Sequence, residues 1–335
     1  MKLYIWISVA VAALLFSGCS GKKYFEPEKT FKPTGALSGH KGKAVYLTRD
    51  GVTFDTRTYI SKRGAGVLAL GANDHYLSEN ASYILTTNRA GKLSVISKKS
   101  KKVTRTIDFD IPVVSAGMKN GKIVYLLQDN TFGIYKLSSS EKLVESKSDD
   151  TSAVDARIAS PVFVDNLAVI PTLDGKMLII DMSSPENAKV IYVSSKANLN
   201  NIIYLSRMGN TLVSATPNRL MIIGGAEGEF SEGISEVAIA NNAIYVFTKA
   251  GEVVKFSSSL KELARKKFKF AHFSVATAFG GRVYAMDQKG SLIVLNSALT
   301  KSRIYDVGKV KDFAFVSGHK IYKDNKVISL DKLGS

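Results

Sequence analysis

A two-stranded unit of about 40 residues recurs along nearly the whole chain, and it limits the possible folds more than any other feature. Its clearest copy is NAIYVFTKAGEVVKFSSSL, Asn242–Leu260, in which two apolar runs are joined at Ala250-Gly251. A glycine in such a link can reach positive φ without steric cost, as tight hairpin turns require. Because one hairpin cannot bury its own apolar faces, the copies must pack against one another.

Eight copies are recognised, and the second residue of each turn marks them: Gly51, Gly91, Asn130, Gly175, Asn218, Gly251, Gly290 and Asn325. A period near 40 residues, with strands and no helical periodicity, is typical of a β-propeller. Each period also has room for a small apolar inner strand and a polar outer strand. We therefore predict an all-β chain with a single β-propeller of eight four-stranded blades. Seven blades remain the alternative if the first or last hairpin is incomplete.

The last repeat has no room for an outer strand of its own, because the chain is nearly finished at Leu333. We predict that part of Tyr24–Leu37 supplies this strand and closes the ring. The predicted propeller domain then covers residues 35–335. Residues 19–34 are predicted to form a tether that carries the possible closing strand, since the segment is polar and contains Pro27 and Pro33.

Residues 1–18 have the pattern of a lipoprotein signal peptide. Ile5–Phe16 is an apolar run too short for a comfortable membrane span. It leads into Phe16-Ser17-Gly18-Cys19, which resembles the bacterial lipobox, so Cys19 is expected to be lipidated and to become the first residue after cleavage. The alternative is an ordinary secretory peptide or anchor helix with an incidental cysteine. Ser20 follows where an aspartate would favour retention in the inner membrane, and this resemblance implies the periplasmic side of the outer membrane.

Cysteine usage and charge agree with export. Cys19 is the only cysteine, so the mature domain has no disulfide and no cysteine metal site. The formal net charge of +17 would raise nucleic acid as a partner in a cytosolic protein, and export argues against it. The charge has two remaining interpretations: lysines that protect edge strands from aggregation, or attraction to anionic lipid or an acidic protein surface.

Two repeats carry a family resemblance, Asp174–Asp181 (DGKMLIID) and Lys289–Asn296 (KGSLIVLN). They are similar to the propeller repeat of PQQ-type proteins, and together with the lipobox the chain resembles the BamB family of outer-membrane assembly lipoproteins. The resemblance implies a scaffold that binds the barrel-assembly protein and unfolded outer-membrane proteins. The docking tryptophans of quinoprotein dehydrogenases are missing, because the only tryptophan is Trp6 in the signal peptide.

Nothing in the sequence has the pattern of an active site. The histidines are far apart, and the carboxylate pairs Asp108/Asp110 and Asp149/Asp150 fit solvated turns better than acid–base chemistry. We therefore predict no enzyme activity, no catalytic residue, no metal and no cofactor. A periplasmic enzyme or small-ligand binder that uses the central channel is one alternative. An adhesin or host-ligand binder at the cell surface is another.

Two routes to protein binding are predicted from the repeats. One is a basic rim, because cationic residues fall in or beside the hairpin turns, which share one face of a propeller: Arg49, Arg89, Arg219, Lys249 and Lys289. Such a rim could meet acidic loops of an envelope partner. The other is β-augmentation, in which an exposed outer strand pairs with an extended segment of an unfolded outer-membrane protein.

Overall fold

The structure is a computed structural model that describes residues 23–151, 154–196, 199–225 and 228–334. This part of the chain is all β except for one 3-10 turn, Leu330–Lys332. Its strands form eight separate four-stranded antiparallel sheets arranged in a ring. The predicted eight-bladed propeller is confirmed, and the seven-blade alternative is wrong. The predicted signal peptide and Cys19 lie outside the described residues.

Strand β1, Leu37–Gly39, comes first in the chain and belongs to the last blade. Blade 1 contains β2 to β5: Ala44–Leu47, Gly51–Phe54, Tyr59–Ser61 and Gly64–Ala65. Blade 2 contains β6 to β9: His75–Glu79, Tyr83–Thr87, Lys92–Ser97 and Val103–Asp108. Blade 3 contains β10 to β13: Val113–Lys119, Lys122–Leu127, Thr131–Lys136 and Glu141–Lys147. Blade 4 contains β14 to β17: Val162–Val164, Leu167–Pro171, Lys176–Asp181 and Ala188–Tyr192.

Blade 5 contains β18 to β21: Tyr204–Met208, Thr211–Ala215, Leu220–Ile223 and Glu229–Phe230. Blade 6 contains β22 to β25: Ile234–Ala240, Ala243–Thr248, Glu252–Phe256 and Glu262–Lys267. Blade 7 contains β26 to β29: Phe273–Phe279, Arg282–Asp287, Ser291–Asn296 and Ser302–Asp306. Blade 8 contains β30 to β32, followed in space by β1: Ala314–Ser317, Lys320–Lys323 and Lys326–Ser329.

The core lies between the blades, and this explains why the middle strands are continuously apolar. A strand covered on both faces has no need to alternate apolar and polar residues. In β23, for example, all six residues from Ala243 to Thr248 are buried. Val124 and Leu126 of blade 3 pack in one cluster with Ala168 and Ile170 of blade 4. Each blade therefore depends on both of its neighbours for burial.

The ring is closed by the two ends of the chain. β1 pairs with β32 in antiparallel register, with Leu37 opposite Ile328 and Gly39 opposite Lys326. The predicted closing strand is thus confirmed in kind, but it lies at Leu37–Gly39 and shares only Leu37 with the predicted segment. The earlier residues lie against the outer strand of blade 7, where the Phe31 N–H donates to the Ile304 carbonyl at 2.9 Å.

The first predicted hairpin forms but has a different place in its blade. Its strands, β2 and β3, are the inner and second strands of blade 1, whereas the other seven marked turns join second and third strands. A β-bulge between Ala44 and Tyr46 in β2 matches the bulges at the same point of β22 and β26. Turn spacing could not reveal the difference, because β2 has four residues where β22 and β26 have seven.

Successive turns of an antiparallel sheet alternate between its two ends, which defines two faces of the ring. We call the upper face the one that carries the turns between second and third strands and the links from each outer strand to the next inner strand. The lower face carries the turns between first and second strands and between third and outer strands. Arg49, in the turn between β2 and β3, is therefore not in a turn of the upper face on which the rim was predicted.

The β1–β32 pairing gives a test of ring closure. The Ser329 N–H donates to the Ala36 carbonyl at 2.8 Å and the His40 N–H to the Asn325 carbonyl at 2.7 Å. By the alternation of antiparallel ladders, the Ser38 N–H between them also faces β32. Ser38→Pro removes this donor and should lower the free energy of unfolding by about 1–3 kcal/mol in urea denaturation. Ser38→Ala keeps the donor, and equal stability of the two variants would contradict closure by β1.

Candidate functional site

The inner strands enclose a central channel with a cavity of about 680 Å³. On the side of blades 6, 7 and 8 its wall consists mainly of small or apolar side chains, among them Ala238, Ala276, Ala278, Ala314 and Val316. Such a wall offers few polar groups to fix the orientation of a small ligand. Charged side chains meet where a turn of blade 1 extends across the channel.

The turn Thr48–Asp50 of blade 1 forms this crossing, and we call it the channel strut. Because β2 is short, the turn comes partway along the channel and not at its lower end. Arg49 makes two bonds to the Glu236 carboxylate of blade 6, from Nη1 at 3.0 Å and Nη2 at 2.7 Å. Its guanidinium also lies 5.8 Å from the ring centre of Tyr204 in blade 5. The strut therefore ties blade 1 to the far side of the ring.

The charges of the strut are fixed by their surroundings. Burial alone would lower the pKa of Arg49, but the Glu236 carboxylate outweighs it, and the pKa is raised. Burial would raise the pKa of Asp50, but Lys62, 2.7 Å away, together with a bond from Ser160 holds the pKa below its usual value. Both groups are therefore charged at neutral pH, and both are already bonded to the protein.

A second crossing lies beside the first. Arg157, in the link that leads into blade 4, donates to the Ser235 carbonyl of blade 6 and is held by Asp155 at 2.8 and 2.6 Å. Burial raises the pKa of Asp155, and the bonds and charge of Arg157 reverse the effect, so the pKa is lowered. Ser235 and Glu236 of blade 6 thus accept hydrogen bonds from two arginines, one from the link into blade 4 and one from blade 1. This arrangement acts as a structural tie across the channel.

The structure separates the five residues of the predicted rim. Arg49 lies in the channel, so its predicted place on the rim is wrong; Arg219 stays beside its turn on the upper face but is bonded to Glu229 on the adjacent strand. Arg89, Lys249 and Lys289 are exposed on the upper face. The Lys289 ammonium lies 3.5 Å from the ring centre of Tyr24. A role of these three residues in partner binding stays a prediction.

The outer strand of blade 4 has a weakly protected edge. Outer strands β13 and β25 each carry four charged side chains, and the outer strand of blade 7 is covered by Phe31. In β17, AKVIY, the only charge is Lys189, while Val190 is 43% and Tyr192 61% exposed. Natural edge strands usually carry charges, prolines or covers that prevent pairing with another chain. Along β17 there is no proline, and the single charge is that of Lys189.

The backbone of β17 also presents free bonding groups. The Val193 N–H donates to the Gly175 carbonyl at 2.9 Å, which sets the alternation of the ladder between β17 and β16. By this alternation the N–H and C=O groups of Ile191 and Lys189 face β16, and those of Val190 and Tyr192 face outward. An extended chain could pair with the outward groups without breaking any bond of the blade.

A groove adjoins this edge. It has a volume of about 610 Å³ and is open because the outer strand of blade 5, β21, has only two residues. Apolar side chains of both blades line it together with glycines and with the ion pair of Arg219 and Glu229; the apolar residues and glycines are Ile191, Met221, Ile222, Ile223, Gly224, Gly225 and Gly228. We call this groove and the outward edge of β17 together the blade 4–5 edge site.

Sequence reasoning predicted charged outer strands and so did not single out this site. The available signal was the run AKVIY, which carries one charge where the corresponding runs of blades 3 and 6 carry four. No sequence pattern indicated that β21 would be short, because its length depends on how far it pairs with β20. Within the described ranges, no group of three or more histidines and carboxylates could hold a metal ion. The absence of enzyme activity stays a prediction.

The channel strut gives a second test. Arg49→Met leaves the Glu236 carboxylate buried without its partner, and removing one member of a buried pair typically costs about 3–5 kcal/mol. We expect a loss of about 3 kcal/mol in the free energy of unfolding, measured by chemical denaturation. Arg89→Met, at an exposed position of the upper face, should stay within about 0.5 kcal/mol of the parent. Equal stability of the two variants would show that the strut is not a tie.

No protein-family model matches the chain. Among curated proteins it is similar to the plasminogen-binding protein PgbB of Helicobacter pylori from two strains, with 24% identity in each case. The alignments cover 95% of this chain and 68% and 67% of the two relatives. The similarity therefore extends over the whole ring and is not confined to a few blades.

Among solved structures, BamB from Moraxella catarrhalis superposes with a TM-score of 0.67, at 15% identity over 87% of this chain and 98% of that chain. A computationally designed protein and the C-terminal WD40 domain of Sif2 each reach 0.62 at 12% identity over 88% of this chain. At such low identity the likeness establishes the architecture alone. The expected BamB-like propeller is thereby confirmed as a fold.

Proposed function

We propose that this chain is a non-catalytic envelope scaffold that binds extended segments of partner proteins at the blade 4–5 edge site. The observation that carries the proposal is the edge of β17, which has a single charge and whose Val190 and Tyr192 turn their backbone groups outward beside a largely apolar groove. A rigid ring holds this edge in place, so little ordering of the scaffold is needed when a partner binds.

The proposed mechanism is β-augmentation. A partner strand would exchange backbone hydrogen bonds with Val190 and Tyr192, and alternate side chains of that strand would reach the exposed apolar residues of the edge. Backbone bonds are independent of sequence, whereas the groove lined by Met221 and Ile223 favours apolar side chains. Strands of unfolded outer-membrane proteins, which alternate apolar and polar residues, have this chemistry.

We further propose that the scaffold is lipid-anchored through Cys19 on the periplasmic side of the outer membrane. The lipobox motif and the fold shared with BamB support an assembly role, with the barrel-assembly protein as one partner and unfolded outer-membrane proteins as others. Nucleic acid is not proposed as a partner. A channel enzyme is less favoured, since both arginines of the channel are already bonded across it.

A second candidate function is the binding of a host protein at the cell surface. It is favoured by the similarity over 95% of the chain to a protein named for plasminogen binding. This function requires exposure on the outside of the cell, whereas the assembly role requires the periplasm. Protease treatment of intact cells separates the two: digestion of the chain favours host binding, and protection favours the periplasmic scaffold.

The edge site predicts a selective effect of proline. Val190→Pro removes the outward N–H but no bond of the ladder within blade 4, so the fold should persist. We expect binding of a denatured outer-membrane protein, measured by site-directed photo-crosslinking and by equilibrium affinity, to weaken about tenfold. That factor corresponds to about 1.4 kcal/mol, in the range of one lost hydrogen bond with its neighbouring contacts.

The matched control is Val190→Ala, which keeps the N–H and shortens the side chain. Thermal unfolding of both variants checks that the ring is intact. If Val190→Pro folds normally and binds as tightly as the parent, β-augmentation at this edge is refuted.

The anchor has a separate test. Cells that make the parent chain should incorporate labelled palmitate into it, and Cys19→Ala should abolish the label and leave the precursor uncleaved. The label is read on the isolated protein, and membrane fractions are compared between the two forms. A labelled Cys19→Ala chain, or an unlabelled parent, would refute lipidation at this residue.

A further inference from the structure

The upper face of the ring has an uneven distribution of charge. From blade 6 through blade 8 to the start of blade 1, its turns and links carry exposed lysines. Lys23, the first described residue, lies in the same region. The lysines of this region are Lys23, Lys41, Lys43, Lys249, Lys269, Lys289, Lys309 and Lys311. We call this region the basic sector. Asp312 and Asp324 lie in the same turns and links, and the carboxylates of Asp55, Asp287 and Asp306 accept backbone hydrogen bonds from them.

The lysines of the basic sector are not neutralised by the protein. Within the described ranges, none of their ammonium groups pairs with a carboxylate within 4 Å, whereas the Lys323 ammonium is bonded to Asp324 at 2.9 Å. The backbone N–H groups of Lys43, Lys289 and Lys311 do donate to carboxylates, those of Asp55, Asp287 and Asp324. On the opposite half of the upper face the pattern differs, because Lys176 bonds to both Asp149 and Asp174. The basic sector therefore has an excess of lysines whose ammonium groups are not ion-paired, and its expected partner is anionic.

Two aromatic side chains lie within the basic sector and are partly exposed. Phe270, in the link from blade 6 to blade 7, is 36% exposed, with the ammonium groups of Lys23 and Lys269 5.7 and 5.2 Å from its ring centre. Its backbone has a φ of 66°, which is uncommon for a bulky residue and places the ring in the link. Tyr24, 39% exposed, lies under Lys289. Aromatic rings surrounded by lysines suit the interface of an anionic membrane.

The position of the N-terminus connects this region to the proposed anchor. Lys23 lies in the basic sector and is four residues from Cys19. Four residues span at most about 14 Å, even when fully extended. If Cys19 carries lipid, as the proposed function requires, the upper face at blades 6 and 7 is held within that distance of the bilayer.

We infer that the basic sector lies against anionic lipid headgroups and orients the tethered ring, with its upper face toward the membrane. The inference rests on the proposed lipid anchor for its geometry, while the charge and the aromatic residues support it independently. The blade 4–5 edge site lies on the other side of the ring from blade 8 and stays accessible in this orientation.

The absence of tryptophan after Trp6 allows a direct test with a single fluorescent reporter. The ring is complete within residues 23–334, so a soluble chain that starts at Ser20 retains every blade. Phe270→Trp reports on the upper face. Phe279→Trp is the matched control, because Phe279 is a comparably exposed phenylalanine, 40%, at the lower end of β26.

Both reporters are mixed with vesicles of phosphatidylcholine, with or without phosphatidylglycerol, and with brominated lipids as quenchers. We expect a blue shift and quenching for Phe270→Trp on phosphatidylglycerol vesicles, a loss of both at high salt, and no change for Phe279→Trp. Equal quenching of the two reporters, or quenching only of Phe279→Trp, would overturn the inferred orientation. Equal binding to both vesicle types would overturn the role of the charge.

A charge variant tests the lysines themselves. Replacing Lys269, Lys289, Lys309 and Lys311 by glutamine should lower partition onto phosphatidylglycerol vesicles on the order of 100-fold, since each lysine near an anionic surface contributes independently. The control replaces four exposed lysines of lower-face turns, namely Lys99, Lys101, Lys102 and Lys261, and has the same net charge. Equal partition of the two variants would show that net charge alone is responsible and would overturn the sector.

The soluble chain separates this inference from the proposed anchor. Vesicle binding without palmitate incorporation in cells would leave the basic sector supported and refute the anchor. Palmitate incorporation without vesicle binding would do the opposite. If an acidic protein binds the Ser20 chain and the phosphatidylglycerol vesicles do not, the lipid inference is wrong.

Discussion

Every blade of this ring buries both of its faces against its neighbours, so the structure depends on there being no first or last blade. The pairing of β1 with β32 meets this condition by building blade 8 from both ends of the chain. Without that pair, Ile328 and its neighbours in the cluster with Tyr284 and Tyr305 would lose their outer cover. Closure is short, three residue pairs, and the Phe31 bridge to blade 7 extends it along the neighbouring blade.

One shortened strand changes the character of the channel. Because β2 ends early, Arg49 reaches Glu236 across the ring, and the polar groups that could have held a small ligand bond to one another. The ring thereby gains a tie at its centre and leaves its outer surface for recognition. Two surface features are unusual: the weakly protected edge on blade 4 and the lysines without ion pairs on the upper face. Such exceptions to the usual composition of a protein surface commonly mark binding sites.

The proposed arrangement separates two roles around one rigid body. The basic sector spans blades 6 to 1, and the edge site lies at blades 4 and 5, so one side can face the membrane while the other receives an extended chain. The same geometry would serve a periplasmic scaffold or a surface receptor, because the ring holds each site in a fixed direction. What differs between these functions is the compartment, which is a property of the N-terminal signal and not of the blades.

The sequence by itself determined the all-β propeller, the eight repeats and the need for an N-terminal closing strand, because these follow from local periodicity and from the count of strands. A strand or a tight turn is indicated by residues that are adjacent in the chain, as in the turn at Ala250-Gly251. Tertiary structure alone decided that Arg49 enters the channel, that Arg219 is paired with Glu229, and that β17 is the free edge. The physical reason is that each of these depends on which elements lie side by side. Arg49 meets a residue of a distant blade, whereas the pairing of Arg219 and the free edge of β17 depend on the order of strands within their own blades.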